Sequence, residues 1–148
     1  MEEITIPIKI LTDLDDISFP RYMTENSAGM DIFAAVEADE IILPGQRKMI
    51  PTGIAIALPV GYEAEIRPRS GIAVKNGVTL VNSPGTIDAD YRGEIGIIMI
   101  NHGENPFVIR RGDRIAQMIV HRVCRVTWMQ CWQLDRTSRG NGGFGHTK

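Results

Sequence analysis

The chain has 148 residues with 16 Lys or Arg and 18 Asp or Glu, which gives a net charge of -2. The charge is uneven, because residues 1–40 hold ten acids and two bases, whereas residues 41–148 hold eight acids and fourteen bases. This length suits one compact domain, and no apolar stretch approaches the roughly 20 residues that a membrane helix requires. The pI of 5.9 disfavours non-specific binding of duplex nucleic acid.

The cysteine content and the N-terminal sequence predict a cytoplasmic protein. Cys124 and Cys131 are too few for a scaffold of several disulfides, and reduced thiols are the ordinary expectation. The chain opens with Met1-Glu2-Glu3 and lacks the basic and apolar segments of a secretory signal.

The dominant hydrophobic period is two residues, which is typical of half-buried β-strands. In the first predicted strand, Ile4, Ile6, Ile8 and Ile10 alternate on one face. Further strands are predicted at residues 30–36, 48–58, 63–67, 78–81, 94–101, 107–110, 114–120 and 122–128. Glycine-containing turns separate many of these runs. The pattern predicts an all-β sandwich, barrel or jelly roll.

One segment, residues 68–77, predicts a helix of fewer than two turns, with Ser70 as the N-cap and Gly77 as the C-terminal stop. A helix this short depends on tertiary packing. Arg69, Ser70 and Gly71 at its start could bind an anion such as a phosphate. From the residues alone, an ordinary capped helix with a surface arginine is the stronger interpretation.

The connection over residues 82–94 is longer than a simple strand reversal needs. It contains Asp88, Asp90, Tyr91 and Arg92. An aspartate here could orient and deprotonate a water molecule, although both aspartates could equally be turn formers.

Two polar residues stand within predicted strands. Asp31 interrupts an apolar strand, where a buried carboxylate would need partners or a metal, although a turn would explain it more simply. Gln117 could donate to a phosphate or be an ordinary strand residue. Among the remaining candidates, His121, Cys124 and Cys131 lack the spacing of a zinc site.

The end of the chain divides it into a predicted domain, residues 1–135, and a glycine-rich arm, residues 136–148. The arm is either a frayed terminus or a flap that carries Arg139 and Phe144 over a ligand. Before it, Trp128 and Trp132 are expected to fill the core or a subunit contact.

Five segments, taken together and in chain order, resemble the five motifs of the trimeric dUTPases: residues 27–34, 68–73, 85–94, 111–118 and 139–145. The resemblance covers nearly the whole chain. It implies a distorted jelly-roll or β-clip subunit with one short helix, and a homotrimer whose active sites are shared at subunit interfaces. It further implies hydrolysis of dUTP to dUMP and pyrophosphate by water attack on the α-phosphorus. That activity would keep uracil out of DNA and supply dUMP for thymidylate synthesis.

The resemblance also implies roles for particular residues around the nucleoside. Asp88 would activate the attacking water, and Tyr91 would pack against the deoxyribose and exclude a ribose 2′-hydroxyl. Asn82 and the neighbouring hairpin backbone would recognise the edge of the uracil. The backbone residues of that set are Gly85, Thr86 and Ile87.

The same resemblance implies a phosphate clamp and a closing arm. Its phosphate-binding residues are Arg69, Ser70, Gly71 and Gln117. Arg139 would reach the γ-phosphate, Phe144 would stack over the uracil, and Gly145 would belong to the substrate-binding residues. Mg²⁺ would be held by the phosphates and waters, with no direct protein ligand and with possible support from Asp31. His146 stands where many members have a serine.

Two alternatives remain open on the sequence. A dCTP deaminase, or a bifunctional deaminase and diphosphatase, resembles the same fold but needs a catalytic glutamate beside the base. Asp88 and Tyr91 in the corresponding hairpin favour the diphosphatase. A nucleotide-gated regulatory protein on the same trimeric scaffold is the second alternative.

Overall fold

The computed structural model describes residues 3–13 and 15–143, which form twelve short strands and one helix. The elements are β1 (Ile8–Ile10), β2 (Arg21–Tyr22), β3 (Met30–Phe33), β4 (Glu40–Ile42), β5 (Arg47–Pro51), β6 (Ile54–Ile56), β7 (Tyr62–Arg67), α1 (Ser70–Asn76), β8 (Val78–Leu80), β9 (Gly85–Ile87), β10 (Gly96–Asn101), β11 (Phe107–Ile109) and β12 (Arg114–Arg122). The all-β prediction is confirmed, and the subunit is a distorted jelly roll with one short helix.

The strands are antiparallel, and most of them pair with strands distant in the sequence. One sheet has the order β2-β3-β12-β7-β9 and a second has the order β5-β10-β8, while β1 pairs with β6 and β4 with β11. At the centre of the five-stranded sheet, Gln117 lies opposite Asp31 on one side and Arg67 on the other. This pairing joins the segments 27–34 and 111–118, and it places the strand that leads into the segment 68–73 beside them.

The core between the sheets consists mainly of isoleucine. Its fully buried members include Ile32, Ile42, Ile50, Ile54, Ile95, Ile97, Ile109 and Ile115. Along β10, Ile97 and Met99 are buried while Ile98 is only half-buried, as the alternation of a strand requires. β-branched side chains pack well on such a pleated surface.

Several predicted strand boundaries are wrong. The predicted strand over residues 48–58 is two strands, β5 and β6, which belong to different sheets. The chain changes sheets at Thr52 and Gly53, where Gly53 has a φ of 69° that favours glycine. Strand β12 runs through to Arg122, and the strand predicted at residues 122–128 does not form.

Two predictions about burial also fail within a single subunit. Only Ile8–Ile10 of the first predicted strand pairs, and Ile8 and Ile10 are 38% and 50% exposed. Trp128 and Trp132 are fully exposed, which makes the core interpretation of these side chains wrong. A contact with another subunit is the interpretation that is left for the two tryptophans.

Helix α1 ends as predicted and begins differently. Gly77 is the C-cap in the left-handed conformation, with a φ of 67°, and its N–H donates to the Ala73 carbonyl. The N-cap is Arg69, not Ser70, because Arg69 has extended backbone and its carbonyl accepts the Ala73 N–H. Ser70 is the first helical residue, and its side chain makes no cap. In the described part of the chain, no helix is long and apolar enough to cross a membrane.

Candidate active site

A cavity of about 230 Å³ opens between the three-stranded sheet and the connection that follows β8. This volume is below the roughly 300–1,000 Å³ of pockets for drug-sized ligands, so it suits a nucleoside better than a whole triphosphate. Its lining combines apolar and polar residues: Met49, Ile66, Leu80, Asn82, Gly85, Thr86, Ile87, Asp88, Tyr91, Glu94, Gly96, Ile97 and Ile98. The predicted uracil, deoxyribose and water-activating residues therefore meet in one cavity.

The polar end of this cavity is formed by Asn82 and Gly85. A Cβ added at Gly85 would lie 3.0 Å from Asn82 Nδ2 and 3.4 Å from Ile66 Cβ. The missing side chain therefore lets the Asn82 amide lie against the backbone of β9. Ser83 Oγ donates to the Leu80 carbonyl over 2.8 Å and fixes the start of the turn.

Tyr91 is held by the turn that it occupies. Its N–H donates to the Asp88 carbonyl, and its hydroxyl donates to the Glu94 carbonyl over 2.9 Å. The ring lies so close to Gly93 that an added Cβ would overlap it. A fixed aromatic ring beside the cavity provides a flat, apolar wall for a sugar.

Asp88 lines the cavity with an exposed carboxylate. Its side chain has no hydrogen-bond or ion-pair partner among residues 3–13 and 15–143. An ionised carboxylate that is free to accept a proton can serve as a general base for water.

The Glu94 side chain holds the cavity in place, a role that the sequence did not predict. Glu94 Oε1 accepts the Gly53 N–H over 2.8 Å. Beside it, the buried Thr52 hydroxyl donates to the Ile95 carbonyl over 2.6 Å. These two bonds tie the β5–β6 junction to the end of the connection that carries Asp88.

A second cluster surrounds Asp31, which is 9% exposed in the centre of the five-stranded sheet. Arg69 Nε donates to Asp31 Oδ1 over 3.2 Å, and Arg114 Nη1 donates to Asp31 Oδ2 over 3.1 Å. Arg69 Nη1 also donates to the Arg114 carbonyl over 2.9 Å. One carboxylate thus orients two guanidinium groups and leaves a net positive charge, which makes the cluster suited to an anion.

Gln117 lies next to this cluster on β12. Its Nε2 donates to the Pro68 carbonyl over 3.0 Å, which leaves the second amide hydrogen for another acceptor. A Cβ added at Gly29 would lie 2.7 Å from Gln117 Oε1, so the glycine makes room for the amide. Together with the exposed Ser70 and Gly71, these groups form a second candidate site of phosphate-binding character.

The two clusters are separate within the subunit, because the 230 Å³ cavity is lined by none of Asp31, Arg69, Ser70, Gly71 and Gln117. Within the described residues, the arm places no candidate site residue in the cavity or in the arginine cluster. Arg139 is exposed and its Nε donates to the Gly142 carbonyl over 2.8 Å. The predicted residues Phe144 and Gly145, and the departure at His146, lie outside the described residues.

The described residues contain no group of three or more His, Cys, Asp or Glu side chains that could hold a metal ion. His121 Nε2 instead lies 3.2 Å from Arg67 Nη2 and 3.6 Å from Glu65 Oε2. Both oxygens of Asp31 already accept hydrogen bonds from arginines. A Mg²⁺ ion would therefore be coordinated mainly by the phosphates of a bound molecule and by waters, which is how this ion commonly binds.

Two other hollows are larger but lack this chemistry. A groove of about 940 Å³ between the N-terminal strand and the five-stranded sheet is largely apolar. A hollow of about 430 Å³ lies beside the acidic residues Asp13 and Asp15. Size alone therefore does not identify the candidate site.

Comparisons with known proteins agree on one family. The sequence model of the dUTPase family matches residues 15–148. The deoxyuridine 5′-triphosphate nucleotidohydrolase of Maricaulis maris is 56% identical over 147 residues, covering 97% of each chain. That of Syntrophotalea carbinolica is 53% identical, covering 99% of each chain. A solved structure of a mutant dUTPase from phage 80alpha is 25% identical with a TM-score of 0.86, covering 97% of this chain and 98% of that chain.

Proposed function

The chain belongs to the dUTPase family, and on that premise we propose that it hydrolyses dUTP to dUMP and pyrophosphate. It is a dUTP diphosphatase in which water attacks the α-phosphorus. The observation that carries this proposal is the 230 Å³ cavity, whose lining combines Asn82, Asp88 and Tyr91. Phosphoryl transfer depends mainly on positioning and charge stabilisation, so a site of this kind needs no covalent nucleophile.

The nucleoside binds in this cavity with the uracil edge toward Asn82 and the backbone of Gly85, Thr86 and Ile87. Fixed amide and carbonyl groups distinguish uracil from cytosine, because the two bases exchange a donor and an acceptor at one edge. Tyr91 packs against the deoxyribose and leaves no space for a 2′-hydroxyl. The hydrogen bond from its hydroxyl to the Glu94 carbonyl supports this role, since it holds the ring in place.

Asp88 accepts a proton from the attacking water and orients its lone pair toward the α-phosphorus. The exposed carboxylate without a partner in the described residues supports this role. General-base assistance of this kind contributes about 10²–10⁴-fold to a rate.

Arg69, Ser70, Gly71 and Gln117 bind the phosphates of the substrate. The hydrogen bonds that Arg69 donates to Asp31 and to the Arg114 carbonyl support its role, because its guanidinium is oriented before substrate arrives. Mg²⁺ held by the phosphates and waters would supply neutralisation of the phosphate charge. Asp31 would support the ion through a water, and its position beside Arg69 supports this role.

The active enzyme is a homotrimer in which the two clusters of different subunits form one site. The separation of the nucleoside cavity from the arginine cluster supports this arrangement, as do the exposed apolar side chains of the 123–134 segment. Those side chains are Trp128, Met129, Trp132 and Leu134, each at least 78% exposed. Apolar surface of this kind is typical of an interface between subunits. Sedimentation should give three times the subunit mass of 16.4 kDa.

Residues 1–135 form the folded unit, and residues 136–148 form an arm that closes over a bound substrate. Arg139 reaches the γ-phosphate, Phe144 stacks over the uracil, and Gly145 belongs to the substrate-binding residues. The glycine content of the arm supports a closing movement, because glycine permits many backbone conformations.

The free, exposed Cys124 and Cys131 are consistent with a reducing cytoplasmic location. The slightly negative net charge is consistent with an absence of stable nucleic-acid binding.

Pyrophosphate release measured side by side with dUTP, dCTP, dTTP and UTP, with and without Mg²⁺, tests the proposal. Rapid release from dUTP alone, stimulated by Mg²⁺, is the expected result. Ammonia release from dCTP would show a deaminase, and binding of dUTP without turnover would show a regulatory protein. Either outcome would contradict the proposed activity.

A further inference from the structure

The nucleoside cavity has Met49 among its apolar lining residues, and no sequence motif contains this residue. Met49 lies on β5, is 71% exposed and lines the 230 Å³ cavity. A large apolar side chain that remains so exposed on a sheet surface contributes little to the stability of the subunit. Its position in the lining therefore points to a contact with a ligand.

The Met49 side chain occupies space that Gly96 leaves open. Strand pairing sets Met49 opposite Ile98 and Pro51 opposite Gly96, so Met49 and Gly96 are diagonal neighbours on the outer face of the sheet. A Cβ added at Gly96 would lie 2.9 Å from Met49 Sδ and 3.0 Å from Met49 Cγ. The thioether thus rests on the backbone of β10, where a side chain at position 96 would otherwise stand.

Strand β10 lies between β5, which carries Met49, and β8, after which Asn82 follows. The two side chains reach the cavity from opposite sides of this strand. A base that presented its polar edge to Asn82 would then have its C5–C6 edge on the Met49 side. Methionine suits such a place, because its flexible and polarisable side chain adapts to an irregular apolar surface.

We infer that Met49 is a specificity-determining residue that closes the apolar side of the nucleoside cavity and excludes bulk at C5 of the base. This inference rests on the proposed function. Met49 binds the nucleoside equally in the ground state and the transition state, so it acts mainly on KM. Selectivity against dTTP, whose 5-methyl group would occupy the space of the thioether, depends on it.

Met49→Ala tests the inference. We expect KM for dUTP and the dissociation constant of dUMP in calorimetry to rise about tenfold, with kcat nearly unchanged, since the substitution removes the apolar contact that the thioether would make with the base. The ratio of kcat/KM for dTTP to that for dUTP should rise by about tenfold, the discrimination that one methyl group commonly gives. The ratio for UTP should not change, because Tyr91 controls the 2′ side.

Gly96→Ala combined with Met49→Ala provides a second test. The added Cβ stands where the thioether lay, so the double variant should recover part of the dUTP affinity lost in Met49→Ala. A double variant that binds dUMP no better than Met49→Ala would overturn the packing on which the inference depends. Thermal unfolding of each variant identifies any loss of folded protein.

Met23→Ala is the matched control, because Met23 is also exposed and lines none of the three hollows. Its kinetic constants should equal those of the unmodified enzyme. If the unmodified enzyme does not hydrolyse dUTP, the proposed function fails. If it does and Met49→Ala keeps the same KM and dTTP discrimination, or gains UTP instead of dTTP turnover, the inference about Met49 fails alone.

Discussion

Asp31→Asn is the most direct perturbation of the arginine cluster. Asp31 accepts one hydrogen bond from Arg69 and one from Arg114. The amide keeps one acceptor oxygen but places an N–H₂ group against a second donor. The substitution therefore removes the negative charge, breaks at least one bond and leaves two guanidinium groups facing each other without a counterion.

The size of the effect follows from the exposure of the three side chains. A hydrogen bond to a charged group contributes about 1.5–3 kcal/mol when partly buried, and an exposed ion pair contributes about 0–1 kcal/mol. The side chains of Asp31 and Arg69 are 13% and 24% exposed, whereas that of Arg114 is 43% exposed. The bond from Arg69 is therefore counted nearly in full, and the bond from the more exposed Arg114 is discounted. The sum is a destabilisation of about 2–4 kcal/mol.

A destabilisation of this size lowers the melting temperature by about 5–15 °C for a chain of this length. Thermal unfolding at one fixed protein concentration measures it, because subunit association stabilises the folded state. Asp39→Asn is the control, since Asp39 meets Arg110 at 3.5 Å with both side chains more than half exposed. Equal melting temperatures for the two variants would refute the assignment of Asp31 as the anchor of Arg69. KM for dUTP should rise only in Asp31→Asn, because Arg69 loses its orientation.

Four further perturbations probe other parts of the molecule. Asp88→Asn should lower kcat at least about 100-fold while dUTP binding in calorimetry persists, and near-normal pyrophosphate release would refute the general-base role. Truncation after Asp135 should preserve the oligomer in sedimentation and severely reduce activity, whereas dissociation would contradict the arm proposal. Asn101→Ala should destabilise the protein by about 3–5 kcal/mol in denaturant unfolding, since the buried amide makes three hydrogen bonds of 2.8 Å; a loss below about 1 kcal/mol would refute this. The hydrogen bond from Arg111 lowers the pKa of Asp16 below 3.8, so its stabilisation is present at neutral pH and lost as pH falls through the lowered pKa. Asp16→Asn should therefore be less stable than the unmodified protein at pH 7 and equal to it at the most acidic pH, and a difference that grows with acid would contradict the sign.

The local features of the fold could be predicted where a residue type has one strong conformational preference. Gly77 ends α1 because a left-handed C-cap favours glycine, and this position was predicted correctly. Ser70 was assigned wrongly as the N-cap, because the N-cap is one residue earlier, at Arg69, which has extended backbone. The Arg69 side chain makes no cap and donates instead to Asp31, on a strand 38 residues earlier in the sequence. No local pattern reports such a contact.

The candidate site likewise contains some residues that the sequence could suggest and others that only contacts in the fold reveal. Candidates such as Asp88 and Tyr91 could be proposed because the order of the five segments in the chain is itself a signal. Glu94 and Arg114 lie inside two of these segments but had no assigned role, and Met49 lies outside all five. Each acts through a contact across the fold: Glu94 with Gly53, Arg114 with Asp31 and Met49 with Gly96. Each pair joins residues that are distant in the sequence, so only the folded chain brings its two members together.

The failed burial predictions have a common physical cause. The alternation of Ile4, Ile6, Ile8 and Ile10 predicts a buried face, and the subunit leaves three of these four side chains exposed. Trp128 and Trp132 were likewise expected to be covered. Alternation of apolar and polar residues indicates which face of a strand is apolar. It does not indicate whether the surface that covers this face belongs to the same chain. The apolar groove beside the N-terminal strand and the exposed tryptophans both occur in one subunit. The sequence pattern therefore identified apolar surface, and in the proposed trimer we expect a neighbouring subunit to cover it.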